Sequence, residues 1–224
     1  MKSSEISHII RVAIADDHPL YRAGVKAYLS SRKDILMVAE AENGKQLLSL
    51  LRNIQPDVVL LDLNMPVMDG PATLSEIKKL YSGVKVIILS MYNDQSMISQ
   101  MMEIGANSYV TKESGPETVY EAIRAVHEQD FFFDERINKA MLTGLRTRRA
   151  AEVPVMPVVQ LSDKEIAILR LMCEEKSTKD IAEIVSLSPR TVESIRDKLK
   201  TKTGTQSIAG LIMYAVKAGL VEKQ

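Results

Sequence analysis

VVLLDLNMPVMDG, residues 58–70, decides the fold. Val58, Val59, Leu60 and Leu61 are apolar without alternation, the pattern of a strand buried on both faces, as in a parallel sheet. A carboxylate, Asp62, follows at the strand's carboxyl end, and after Asn64 and Pro66 the pair Asp69-Gly70 opens a helix. Burying a charge is costly unless it is paired or used. An acid placed there calls for chemistry that needs an ionised oxygen.

Working outward, apolar runs at residues 9–15, 35–40, 84–89 and 108–110 alternate with amphipathic stretches. With the run at 58 they predict five βα units, an α/β fold with a five-stranded, doubly wound parallel sheet covered by helices on both faces. Helix starts are signalled at Asp17-His18-Pro19, Asn43-Gly44, Asp69-Gly70-Pro71, Asn93-Asp94 and Ser114-Gly115-Pro116, where side-chain oxygens or proline suit a first turn. The pattern ends near Asp130. Beyond residue 161 no strand pattern recurs, and four short helices are expected at 162–175, 177–185, 188–202 and 205–217. Three segments follow: a domain at 1–130, a basic helical connector and linker at 131–160, and a smaller all-α domain at 161–224. The connector includes Arg146, Arg148 and Arg149, then a proline-broken stretch at 153–157.

The 224 residues are 46% hydrophobic and 26% charged, as expected for a soluble globular protein. The 29 acidic and 29 basic residues are unevenly spread. Residues 1–135 carry 19 acidic and 13 basic, 136–150 five basic, and 151–224 ten acidic and 11 basic. Cys173 is the sole cysteine, set in an apolar pattern that suits a buried thiol better than a nucleophile. His8, His18 and His127 are scattered, which argues against zinc. No apolar run reaches the roughly 18–20 residues of a membrane span, and the expected location is cytoplasmic, without a membrane partner.

In an open parallel sheet, sites form outside the carboxyl ends of the strands. Asp16 and Asp17 reach that edge after the first strand and Asp62 after the third, and so dense a cluster invites a hard cation. Oxygen ligands suit Mg2+, with Mn2+ as a substitute. Ser90 ends the fourth strand and Lys112 follows the fifth. Singly, each has a bland reading: a cap for Asp16 or Asp17, a turn for Ser90, a solvated charge for Lys112. Together they supply a metal pocket, a carboxylate nucleophile, a hydroxyl donor and a fixed cation, a set suited to phosphoryl transfer onto Asp62.

ADDHPLYRAGV, VVLLDLNMPVMDG, VIILSMY and GANSYVTKE resemble the receiver domain of two-component response regulators, across essentially the first 130 residues. The resemblance implies Asp62 as phosphoacceptor, with Asp17, Asp62 and the Asn64 backbone carbonyl on the metal and Asp16 completing the acid pocket. It implies that Ser90 and Lys112 contact the phosphoryl group, and that Tyr109 changes orientation as Ser90 moves. One position departs: Glu113 follows Lys112 where many receivers have a cis proline, and a non-proline cis bond costs about 2.5–4 kcal/mol. A trans bond or a differently shaped loop is expected.

STKDIAEIVSLSPRTVESIRDKLKTKTG holds two helices joined at Val185-Ser186-Leu187. Ser188 and Pro189 suit a helix start, and Val192, Ile195 and Leu199 form a core-facing stripe. From LSDKEIAILRLM to AGL the chain resembles the LuxR-type four-helix domain of NarL/FixJ regulators. That resemblance puts the second helix of a helix-turn-helix in the major groove of double-stranded DNA. Thr178, Lys179, Arg190, Thr191, Glu193, Ser194, Arg196, Asp197, Lys198, Lys200 and Lys202 are the candidate contacts. Departures include Glu175, Thr178, Ile195 and Thr203. Acidic Glu193 and Asp197 would accept from cytosine amino groups while repelling phosphates.

Phe131, Phe132 and Phe133 are read as sealing the end of the first core, and Met97, Met101 and Met102 as core at helical spacing. The expectation is a regulator rather than an enzyme, fed by a sensor histidine kinase or small phosphodonor, with a homodimer when active or release of the second domain as the output. The alternatives are a receiver-based adaptor with little DNA binding, and a metabolite phosphatase using Asp62. The phosphatase pattern usually has a second acid where this chain has Asn64.

Overall fold

The computed structural model describes residues 9–92, 94–133, 137, 159, 161–174, 176–205, 208–218 and 220. Of the expected connector, Arg146, Arg148, Arg149 and the stretch at 153–157 lie outside the described residues, as does Glu175. Two compact units are present, one spanning residues 1–92 and 108–127 and the other residues 93–107 and 128–224.

The elements alternate as the apolar runs require: β1 (Ile10–Ala15), α1 (Pro19–Ser30), β2 (Ile35–Ala41), α2 (Gly44–Leu51), β3 (Val58–Asp62), α3 (Gly70–Leu80), β4 (Lys85–Ser90), α4 (Gln95–Ile104), β5 (Ser108–Thr111) and α5 (Gly115–Gln129). All five strands are parallel, in the order β2-β1-β3-β4-β5. The central strands carry the core. Val12, Ala13, Ile14, all of residues 58–61, and Val86, Ile87, Ile88 and Leu89 are fully buried. Leu29, Leu47, Leu74, Ile77, Ile123 and Val126 supply the helical side of that core. Helix entry is local chemistry: the Asn43, Asp69 and Asp94 side chains accept from the first-turn N–H groups of Gln46, Ala72 and both Ser96 and Met97.

The methionine reading holds for Met101 and Met102, which are buried, whereas Met97 is half-buried. Phe131 is buried and stacks on Phe133 with ring centroids 4.9 Å apart, while the Phe132 N–H donates to the Asn107 carbonyl.

The last four helices are α6 (Asp163–Cys173), α7 (Thr178–Ile184), α8 (Pro189–Thr203) and α9 (Ile208–Lys217). Ser162 and Glu165, and likewise Ser177 and Asp180, form reciprocal capping boxes, and Ser188 caps α8. Ile168, Leu169, Met172, Ile181, Ala182, Val192, Leu199, Leu211, Tyr214 and Ala215 close a separate core, with Val185 and Ile195 packed against it. The Cys173 thiol is pushed up to about 11 by burial, aided by Glu174, which keeps it protonated and unreactive at neutral pH. No described helix is long and apolar enough to cross a membrane.

The β3–α3 loop contains one backbone oddity. Val67 has φ +69° with its side chain exposed, and a β-branched residue in the left-handed region is strained by about 1–2 kcal/mol. Val67→Gly is therefore expected to stabilise the protein by about 1 kcal/mol despite glycine's greater unfolded-state freedom. A urea titration that shows a lower midpoint for the variant refutes this.

Candidate functional site

Strand register assembles the site. β1 and β3 are hydrogen-bonded neighbours with Ala15 opposite Leu61, so the next residues, Asp16 and Asp62, come level at the carboxyl edge. Strand order reverses between β1 and β3, and open parallel sheets hold ligands at such a switch point because the loops there diverge to opposite faces. Asp62 is registered against Leu89, carrying Ser90 just past it, and Ser90 lies opposite Thr111, after which comes Lys112.

Asp16 and Asp62 are 0% and 2% exposed, while Asp17 is partly open. The Lys112 ammonium, also buried, lies 2.8 Å from Asp16 Oδ2 and 2.9 Å from Asp62 Oδ2. Burial raises the Asp62 pKa and the neighbouring Asp16 charge adds to the rise, against the hydrogen bond and charge of Lys112 and the Asn64 N–H. That N–H lies 3.5 Å from Asp62 Oδ1, a weak contact. Asp16 Oδ1 accepts the His18 N–H at 2.8 Å, and the Asp16 carbonyl accepts from Arg22 Nη1 at 2.5 Å. The N-cap of α1 is His18, with no side-chain cap bond, so neither Asp16 nor Asp17 serves as its cap.

Lys112 faces Asp16 and Asp62 while Asp17 faces His18, so three clustered carboxylates share a single lysine ammonium. Asp16 Oδ2 and Asp62 Oδ2 are buried against the Lys112 ammonium, and Asp17 Oδ1 is buried against His18 Nδ1. With His18 they form a group whose candidate ligand atoms lie within 4.8 Å of one another. The donor set fits a hard divalent cation. His18 was not among the expected site residues, although its Nδ1 lies 2.7 Å from Asp17 Oδ1 and 3.8 Å from Asp62 Oδ2. Its adjacency to Asp16-Asp17 was the available signal.

Ser90 is buried, and its Oγ accepts the Tyr92 N–H at 3.0 Å. Tyr109, 3% exposed, donates its hydroxyl to the Tyr92 carbonyl at 2.9 Å. The two expected switch residues are thus joined through the backbone of one loop residue. After Lys112 the chain makes a 3-10 turn, Lys112–Ser114, and no cis peptide bond occurs among the described residues, as Glu113 in place of proline leads one to expect. Gly70 holds the far side of the pocket: a Cβ there would lie 2.5 Å from the Asp62 carbonyl oxygen and 2.7 Å from Leu63 Cα. Only glycine lets α3 start this close to the acid.

In the helical domain, Lys179, Arg190, Thr191, Glu193, Ser194, Asp197 and Lys198 are exposed on α7 and α8, and Thr178 and Lys200 are half-buried. Two of the expected DNA contacts also have partners within the chain. Arg196 is 4% exposed and donates to Thr178 Oγ1 at 2.5 Å, tying α7 to α8. The Lys202 ammonium sits 2.7 and 2.9 Å from the Glu165 carboxylate oxygens, and this hydrogen bond leads the causes that hold the Glu165 pKa low. Lys200 pairs with Asp197 at 2.7 Å.

Comparisons with known proteins follow the same division. The family model described as "Response regulator receiver domain" matches residues 12–124, and that described as "Bacterial regulatory proteins, luxR family" matches residues 159–215. The oxygen regulatory protein NreC of Staphylococcus epidermidis is 31% identical over 217 residues, covering 95% of this chain and 100% of that one. The nitrate/nitrite response regulator protein NarP of Escherichia coli is 33% identical over 210 residues, covering 93% and 96%. Among solved structures, RcsB of Salmonella typhimurium matches with a TM-score of 0.55 and 25% identity, covering 93% of this chain and 98% of RcsB. RcsB is also solved in complex with DNA.

The unbalanced pocket has a measurable consequence. Two unit charges about 4 Å apart repel by about 4 kcal/mol at an effective dielectric of 20. In chelator at pH 7.5, Asp62→Asn is expected to stabilise the protein by about 1 kcal/mol. Because the folded-state pKa of Asp62 is raised, the native protein loses stability as pH rises through it, so the gain should shrink as pH falls. Equal or lower stability of the variant at pH 7.5 contradicts the repulsive pocket.

Proposed function

Because the chain belongs to the response regulators of the NarL/FixJ type, with a receiver domain and a LuxR-type DNA-binding domain, we propose that phosphorylation of Asp62 controls its action as a transcription regulator. The observation that carries this is the Lys112 ammonium set between Asp16 and Asp62 at the switch point of the sheet.

Transfer begins with an Asp62 carboxylate oxygen attacking phosphorus. The donor is the phosphohistidine of a sensor kinase or a small acyl phosphate; its P–N or P–O bond breaks, and the bonding pair leaves on the imidazole nitrogen or carboxylate oxygen. Asp16, Asp17, Asp62 and the Asn64 carbonyl would hold a divalent cation, Mg2+ or Mn2+, whose chemistry there is neutralisation of the oxygens of the transferring group. Lys112 already lies on Asp62, and redirects a donor to a phosphoryl oxygen as charge arrives. The Ser90 hydroxyl turns to donate to the same group and gives up the Tyr92 N–H. That frees the loop on which the Tyr109 hydroxyl depends. Phosphorylation replaces one negative charge with about two and adds strong acceptors, which is enough to bias a two-state loop.

The output is a homodimer that places two helical domains on DNA half-sites about one helical turn apart, in the cytoplasm. Lys179, Arg190 and Lys198 are the exposed cations for phosphate contact, while Glu193 and Ser194 reach base edges. Arg196, buried and bonded to Thr178, positions α8, while Lys202 pairs with Glu165 at the surface. The DNA complex of the similar RcsB supports this reading. A second reading, an adaptor with little DNA binding, draws on the exposed acids Glu193 and Asp197.

Incubated with Mg2+ and acetyl phosphate, the native chain should gain one phosphoryl group by intact mass and Asp62→Asn none; a native chain unchanged under several donors sinks the proposal. Phosphorylated protein should bind duplex DNA with log K falling against log salt with a slope of about −5, as three phosphate contacts in each of two domains predict. Absence of any salt-dependent binding favours the adaptor. Glu165→Gln, which loses the Lys202 pair and part of the capping box, should cost about 1–2 kcal/mol in thermal unfolding of the helical domain.

A further inference from the structure

Tyr21 lies outside every role assigned above, yet it completes the surroundings of Lys112. It is the third residue of α1, half-buried, and the Lys112 Nζ sits 4.9 Å from its ring centroid. That is within the range of about 6 Å in which an ammonium is attracted to an aromatic face. The other neighbours of this ammonium are Asp16 Oδ2 and Asp62 Oδ2, and its side chain is 3% exposed. We propose that Tyr21 is a positioning residue for phosphoryl transfer, its ring face holding the Lys112 ammonium in the pocket.

The choice of an aromatic face has a physical reason. An oxygen acceptor at that place would compete with Asp62 and with the incoming phosphoryl oxygens for the donors of Lys112. A π face attracts the cation without fixing any one N–H, so the donors remain free to move from carboxylate to phosphoryl oxygen. A purely aliphatic side chain would leave the ammonium with less to offset its desolvation. The phenol adds no charge of its own: burial, with the nearby Asp16 and Asp62 charges, pushes its pKa to about 12, and the ring stays neutral beside these two acids.

The inference rests on Asp62 being the phosphoacceptor, and two measurements separate the claims. In full-length protein carrying 13C-labelled lysine, the ε-methylene protons of Lys112, assigned through Lys112→Arg, should lie upfield of the other lysines because of the ring current. This readout needs neither phosphorylation nor a Tyr21 variant that folds. Tyr21→Leu should remove the upfield shift and slow the initial rate of phosphoryl gain from acetyl phosphate about tenfold, equivalent to ~1.4 kcal/mol. Tyr21→Phe, which keeps the ring and loses the hydroxyl, should rescue both. An unshifted Lys112 in the native chain overturns the proposal, as does a native rate in Tyr21→Leu or an equal loss in Tyr21→Phe. A native chain that shows the shift but takes up no phosphoryl group would instead overturn the role given to Asp62.

Discussion

The constraint on which the site depends is electrostatic crowding enforced by backbone hydrogen bonds. The β1–β3 register brings Asp16 and Asp62 level at one rim, where the surrounding strands leave little water to screen them. Repulsion cannot be relieved by turning the strands, because they are the buried centre of the sheet. It is met by counter-charge: Lys112 reaches both acids from the far side of β4. One lysine ammonium does not balance three carboxylates. The pocket is therefore held in tension between the sheet, which fixes where the acids stand, and the cations they attract.

The geometry joins the site to the surface by a short route. Ser90 and Tyr109 both lean on the backbone of Tyr92, one through its N–H and the other through its carbonyl. A hydroxyl that leaves the Tyr92 N–H for a new acceptor alters a loop whose side chains, Met91 and Tyr92, are exposed. Gly70 lets α3 start against the Asp62 backbone, and the strained, exposed Val67 lies in the same β3–α3 loop. The rigid core ends at the strand tips, and adjustable backbone begins there. In the helical domain charge is spent differently: Arg196 and Lys202 bind Thr178 and Glu165 and hold α8 in place, leaving an exposed face of mixed sign.

Much of this was legible from residue order alone, for local reasons. Unbroken apolar runs predict buried strands because a parallel sheet is dry on both faces, and the five strands fall within a residue or two of their expected limits. Asn43, Asp69, Asp94 and Ser188 announce helix starts because their side-chain oxygens satisfy first-turn N–H groups a few residues away. The acids at strand ends, the hydroxyl of Ser90 and the cation of Lys112 could be named for the same reason: each follows directly on a strand whose end the pattern marks.

That β1 and β3 are neighbours, and in what register, is a matter of pairing between residues such as Ala15 and Leu61 that lie far apart in the chain, and no local period reports it. Only the folded sheet therefore decides that Asp16 and Asp62 share Lys112, that His18 and Tyr21 border the pocket, and that Val67 takes a positive φ. It likewise takes the packed domain to show that Arg196, one more cation on a charged helix by sequence, is buried against Thr178. Charge type and chain position belong to the sequence; burial and partner belong to tertiary packing, because they depend on which surfaces the distant parts of the chain cover.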